Sequence, residues 1–253
     1  MIIPTPEVSS MKFYFGTTNQ YKVRELAAIL RPLGIELAVT DPIDPEETGD
    51  TLEVNAKIKA VAYGRHVGNQ LIHQLMTAHS CTAEDALNHL KLSQRWVISE
   101  DSGIMVPALG GLPGPWSARF DDCLLDGHRI VGHESSNRDR DEIDLANNLR
   151  VLELMKGIEQ PHRAASFGIC LMVADVEGRV LFKTTCESAG WLTEEMRGTQ
   201  GFGYDPIFVS ANSFGKTWSE IDPMRKNLFS HRRRALQEFT AWLANQIKLS
   251  DGE

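Results

Sequence analysis

The chain has 253 residues, 42% hydrophobic and 24% charged, an ordinary globular composition long enough to build a core without covalent staples. Lys and Arg total 26 against 34 Asp and Glu, a formal net charge of −8, which argues against binding nucleic acid through broad phosphate neutralisation. Cys81, Cys123, Cys170 and Cys186 show no disulfide-framework or zinc spacing, and no apolar run is long enough to span a bilayer. The first ten residues read as a polar leader without a basic signal region, so a cytoplasmic protein without a membrane partner is expected.

In chain order, MKFYFGT (11–17) is aromatic and β-prone and predicts a strand that breaks between Gly16 and Asn19. Val23, Leu26, Ala27 and Leu30 then recur at helical spacing, and Pro32 and Gly34 end that helix. IELAVT (35–40) reads as a second strand, followed by an acidic loop (41–50) stiffened by Pro42 and Pro45. Asp50 or Thr51 caps the next helix, which is expected to turn Val54, Ile58 and Val61 inward. Residues 64–95 read as a helical insertion with a second start at Thr82 to Asp85. They contain His66, His73, His79, His89 and Cys81 in no spacing common to metal sites.

WVISE (96–100) is a buried strand and GGLPGPW (110–116) a Gly/Pro-rich loop. Residues 121–150 are polar and become helical near Leu145, Leu149 and Leu152. The run from Ala165 to Ser188 reads as two long strands turning at Glu177 and Gly178, and a final helix places Leu236, Phe239 and Leu243 on one face. Strands and helices mix without strict alternation, so the fold class is α/β with a substantial antiparallel part, as a single domain.

Four segments carry residues suited to chemistry. Thr17, Thr18, Asn19 and Lys22 open the first helix, where unpaired N–H groups and the helix dipole favour a phosphate; taken alone the segment is better read as a plain cap at Asn19 with a solvated Lys22, since it is not a GxxxxGK[ST] loop. Glu100, Asp101 and Ser102 follow an apolar strand, a costly place for carboxylates unless they face a metal or a cation, although Asp-Ser-Gly also suits a turn. GFGYDP (201–206) lets backbone and aromatics approach a ligand, or covers the core. Lys226 and the cluster from His231 to Arg234 open the last helix, where positive charge opposes the dipole unless an anion sits there.

Taken together and in order, TTNQYK (17–22), EETG (46–49), EDSG (100–103), ALGGLPGPWSARF (108–120), GFGYDPIF (201–208), GKTWSEI (215–221) and KNLFSHRRRAL (226–236) resemble the inosine triphosphate pyrophosphatase family, the non-canonical purine NTP pyrophosphatases. The resemblance implies a two-lobed α/β fold with an elongated mixed β-sheet flanked by helices and a cleft between the lobes. It implies a triphosphate cradle at Thr17, Thr18, Asn19 and Lys22, substrate contacts at Lys59 and Ser102, and Mg²⁺ held by Glu46 and Asp101, with Asp101 also the proton acceptor. Phe202, Gly203, Tyr204 and Asp205 fall on the base pocket, and Lys226, His231 and Arg232 on the closing contacts. The implied reaction is hydrolysis of ITP, dITP or XTP to the monophosphate and pyrophosphate by a homodimer. A nucleotide-binding module without turnover is the alternative, as is the same chemistry on a modified pyrimidine.

Overall fold

A computed structural model describes residues 13–92, 95–134 and 137–250, so the leader at 1–10 lies outside the described residues. Strand β1 (Phe13–Phe15) runs into helix α1 (Gln20–Leu30), which tightens through a short 3-10 turn and ends at Gly34, whose φ of 75° suits the left-handed region. Strand β2 (Leu37–Val39) pairs parallel to β1, and β1 pairs parallel to β3 (Trp96–Met105). From β3 onward the sheet turns antiparallel, through β6 (Ala164–Asp175), β7 (Val180–Leu192) and β8 (Phe208–Ser210). The strand order is β2-β1-β3-β6-β7-β8, and a separate hairpin is formed by β4 (Cys123–Asp126) and β5 (Arg129–His133). The mixed α/β expectation holds, and the turn between β6 and β7 falls at the expected Glu177 and Gly178.

The two largest apolar clusters among the described residues are joined by smaller ones beneath helix α2 (Leu52–His79). One of the two gathers Phe13, Phe15, Leu26 and Leu30 with Leu236 and Phe239 of helix α6 (His231–Ser250). The other gathers Ile104, Phe120, Tyr204, Phe208 and Trp218 with Val151 of helix α4 (Arg140–Leu154). The long strands β3 and β6 contribute to both cores and join them.

Helix α2 (Leu52–His79) is capped by Thr51, which accepts from Val54 N at 3.2 Å. Its buried face carries Asn55, Ala56, Lys59, Ala60, Tyr63, Gly64, Val67 and Gly68, whereas Val54 is exposed and Ile58 and Val61 are only partly buried, contrary to the expected inward set. Small residues win that face because the helix lies against backbone. A Cβ at Gly64 would meet the Asp175 carbonyl oxygen at 2.5 Å, and one at Gly68 would meet that of Val176 at 2.1 Å. Gly68→Ala is therefore expected to destabilise the fold by about 1–3 kcal/mol, the strain of overpacking outweighing alanine's better helix propensity. Urea unfolding of the two proteins checks it.

The stretch from 64 onward is thus the continuation of α2, followed by α3 (Ala83–Leu92), which starts where Thr82 and Asp85 cap each other. Among the described residues no three His, Cys, Asp or Glu side chains converge as a metal site. On α4 the exposed Leu145 and Leu149 are also not the core face; Asp144, Asn147, Asn148 and Val151 are buried instead. The β4–β5 hairpin inside 121–150 was not foreseen, since its strands alternate with polar residues in a short span.

Candidate active site

The strand expected to stop at Glu100 continues to Met105, so Ser99 to Gly103 are interior strand residues and not a turn. Glu100 and Asp101 are 2% and 5% exposed, and buried carboxylates at that level require partners. Their neighbours on the sheet supply the opposite side. Gly16 N bonds Ile98 O at 2.8 Å and brings the β1–α1 turn beside β3. There Asn19 accepts from Tyr21 N and Lys22 N at 3.0 and 3.3 Å, so Asn19 does cap α1 as the plain reading held, while its side chain also lines the cleft with Thr17 and Thr18.

From this turn Lys22 reaches Glu100 at 3.3 Å. Lys59, one of the inward residues of α2, bonds Asp101 at 2.6 Å and Glu47 at 3.2 Å. Lys226 bonds Asp205 at 2.7 Å and Glu25 at 3.2 Å. Arg232 makes a bidentate pair with Glu100, Nε to Oε2 at 2.8 Å and Nη2 to Oε1 at 2.6 Å, and also bonds Glu25. Lys22, Glu47, Lys59, Asp101, Asp205, Lys226 and Arg232 line one cleft together with Ser102, Phe202, Gly203, Tyr204 and His231, and Glu25 and Glu100 pair with its cations.

Glu46 is the exception. In the extended acidic loop Ile43, Pro45, Glu47 and Gly49 are half-buried and alternate with exposed neighbours. Alternation in an extended chain sends Glu46 outward and Glu47 toward Lys59. The loop is pinned by Tyr63 Oη donating to Ile43 O at 2.7 Å and by Gly49 N donating to Asn55 Oδ1 at 2.8 Å. The carboxylate that pairs with Lys59 beside Asp101 is Glu47, and Glu46, expected as a metal ligand, is exposed in the same loop. Arg140, which lines the cleft, and Glu25, which pairs with Lys226 and Arg232, were not named from sequence. Glu25 lies three residues after Lys22, a spacing that shares a helix face; Arg140 carries no such signal.

The electrostatics follow from burial among charges. Burial pushes the Glu25 carboxyl up, but Lys226 and then Arg232 outweigh it and hold it at about 2. Glu100 moves in the same direction, burial again being overcome by Arg232 and Lys22. For Asp101 and Asp205 burial wins and raises both above the ordinary aspartate value, despite Lys59 beside the first and Lys226 beside the second. Burial and then Arg232 hold His231 well below its ordinary value, so its ring is neutral. That ring lies nearly parallel to Phe167 and Trp218, with centroids 5.1 and 5.6 Å away, and its Nδ1 is buried without a partner among the described residues.

A depressed carboxylate stabilises the fold above its unfolded value, 4.5 for Glu, and that contribution is lost as pH falls toward the folded value near 2. Glu25 alone contributes on the order of 3 kcal/mol by this route. Urea midpoints are expected to be flat from neutral pH to about 5 and to drop steeply between about 4.5 and 2. A midpoint unchanged at pH 3 would sink this assignment.

Lys22, Lys59, Lys226 and Arg232 are each paired with carboxylates, drawn from Glu25, Glu47, Glu100, Asp101 and Asp205. An incoming polyphosphate would find its cations already paired, so added positive charge is needed to hold it. Asp101 Oδ2 is buried with no hydrogen-bond partner among the described residues, and Glu47 lies on the other side of Lys59. Two carboxylate arms with substrate phosphates suit a divalent cation that keeps part of its water shell.

The model of the Ham1 family matches residues 13–242. The chain belongs to the Ham1 family. This Ham1-family chain is 33% identical to the dITP/XTP pyrophosphatase of Bacillus licheniformis, over 90% of its own length and 95% of the relative's. It is likewise 33% identical to the dITP/XTP pyrophosphatase of Aquifex aeolicus, covering 93% and 98%. Among solved structures it superposes on a HAM1 protein from Coxiella burnetii with a TM-score of 0.63 at 27% identity, covering 93% of this chain and all (100%) of that one. A nucleoside-triphosphatase / dITP/XTP pyrophosphatase from Mycobacterium abscessus gives a TM-score of 0.58 at 28% identity, covering 90% and 97%.

Proposed function

We propose that this Ham1-family chain hydrolyses non-canonical purine nucleoside triphosphates (ITP, dITP and XTP) to the monophosphate and pyrophosphate, with Mg²⁺ as cofactor. The observation that carries this reading is the unpartnered Asp101 Oδ2, buried beside Lys59 and Glu47 in a cleft that opens on the N-terminus of α1. Thr17, Thr18, Asn19 and Lys22 cradle the triphosphate at that helix end, and Lys59 and Ser102 hold it from α2 and β3. Glu47 and Asp101 hold the metal, which when bound supplies charge to the phosphate oxygens. Asp101, its pKa raised by burial, accepts the proton of the attacking water.

At the base, Phe202 and Tyr204 supply the aromatic wall. Neutral His231, with Nδ1 free, donates to a 6-keto oxygen; each Arg232 nitrogen already has a carboxylate partner, so its part is to orient that end of the cleft. Lys226 sits over the rings of Phe202 and Trp218 at 5.1 and 4.9 Å, and Asp205 accepts the N1–H that adenine lacks. A 6-amino group would leave the donors at this end unpaired, which disfavours ATP.

Homodimeric assembly and a cytoplasmic location belong to the same proposal. No helix among the described residues is long and apolar enough to cross a membrane, and the exposed Leu145 and Leu149 offer an apolar strip for a second copy. Pyrophosphate release from ITP, XTP, ATP and GTP, with Mg²⁺ and with chelator, tests the activity. Rapid metal-dependent release from ITP and XTP, with far slower release from ATP, is expected, and equal rates on ATP would overturn the specificity.

A further inference from the structure

Tyr21 stands between the cap Asn19 and the cradle residue Lys22, in the first turn of α1. Its ring stacks on Phe202, with centroids 5.3 Å apart and planes 13° from parallel. Its hydroxyl donates to Asp141 Oδ1 at 2.7 Å, in the first turn of α4. Helix α4 grips the same loop from its own side: Asp144 Oδ2 accepts from Gly203 N at 2.7 Å, and Asn148 donates to Gly203 O at 2.7 Å. One side chain thus ties the phosphate-binding turn, the Phe202 loop and α4 together. The hydrogen bond is exposed and adds little to stability, so its main physical effect is to fix a ring that would otherwise rotate.

A ring that must be ordered when the ligand arrives weakens binding by the freedom it loses, whereas a ring already fixed does not. We propose that Tyr21 is a specificity-determining positioning residue, clamping Phe202 as a preformed stacking platform for the purine. The inference rests on the reading that the cleft takes a purine triphosphate. Because a purine offers more stacking surface than a pyrimidine, the clamp favours purines without touching the groups that read position 6.

The test compares wild type, Tyr21→Ala and Tyr21→Phe for kcat and KM on ITP, and for inhibition by inorganic tripolyphosphate, which has no base. Tyr21→Ala is expected to raise KM for ITP roughly 3- to 10-fold with kcat within about twofold, the pattern of lost binding and not lost chemistry. The inhibition constant of tripolyphosphate should stay unchanged, and Tyr21→Phe, which keeps the stack, should give a smaller rise in KM. An unchanged KM in Tyr21→Ala, or a parallel weakening of tripolyphosphate, overturns the inference. Calorimetric binding of ITP and tripolyphosphate runs alongside. If wild type binds ITP without turning it over, the proposed activity falls, and the ratio of the two affinities in Tyr21→Ala still decides the role of Tyr21.

Discussion

Asp101→Asn is expected to reduce pyrophosphate release from ITP by about 10³-fold or more while nucleotide binding stays within roughly tenfold of wild type. The substitution keeps the shape of the side chain and an oxygen for Lys59, now 2.6 Å from Oδ1. It removes the negative charge that would accept the proton of water, and replaces one carboxylate arm of the metal pair with a weaker ligand. Stability is expected to fall as well, because buried Lys59 loses the anion 2.6 Å away and keeps only Glu47 at 3.2 Å. Turnover within tenfold of wild type would remove Asp101 from the chemistry; complete loss of turnover with intact ITP binding would separate an enzyme from a passive nucleotide binder.

The sequence was legible where apolar patterning and burial agree. Strand β6 is a long, largely apolar run and β7 alternates buried and exposed positions after a Glu-Gly turn, and Leu236, Phe239 and Leu243 do face the core. It misled where function replaces apolar residues inside a regular element. Strand β3 continues through Ser99 to Gly103 because its polar side chains face cations across the cleft, a partnership no local pattern contains. On α2 the apolar period pointed to Val54, Ile58 and Val61, yet the contact surface is backbone, so glycine and alanine occupy it. On α4 the leucines lie outside because Asp144 and Asn148 are needed inside to hold Gly203. The residues named for the site gather around one cleft, apart from Glu46, which is exposed while the adjacent Glu47 bonds Lys59. Arg140 lies outside every quoted motif, and Tyr21, though inside TTNQYK, owes its contacts to Phe202 and Asp141 in distant segments.

Arg232→Leu is expected to cost roughly 3–5 kcal/mol of stability, beyond the loss of any contact to substrate. Arg232 is 1% exposed, and its removal leaves Glu25 and Glu100 facing only Lys226 and Lys22. Uncompensated buried carboxylates are far more damaging than the net worth of the pair, which predicts an asymmetry. Adding Glu100→Gln to Arg232→Leu should recover more than half of the lost stability, because the second change neutralises the group that the first abandoned. Urea unfolding of wild type, both single variants and the double variant closes this cycle. Additive losses would mean that Arg232 stabilises through packing alone. Activity should not return with stability in the double variant, since the ring of His231 next to Arg232 in sequence would then face a cleft without its orienting guanidinium. Recovery of fold without recovery of ITP over ATP preference would separate what the buried charge network does for the structure from what it does for the base.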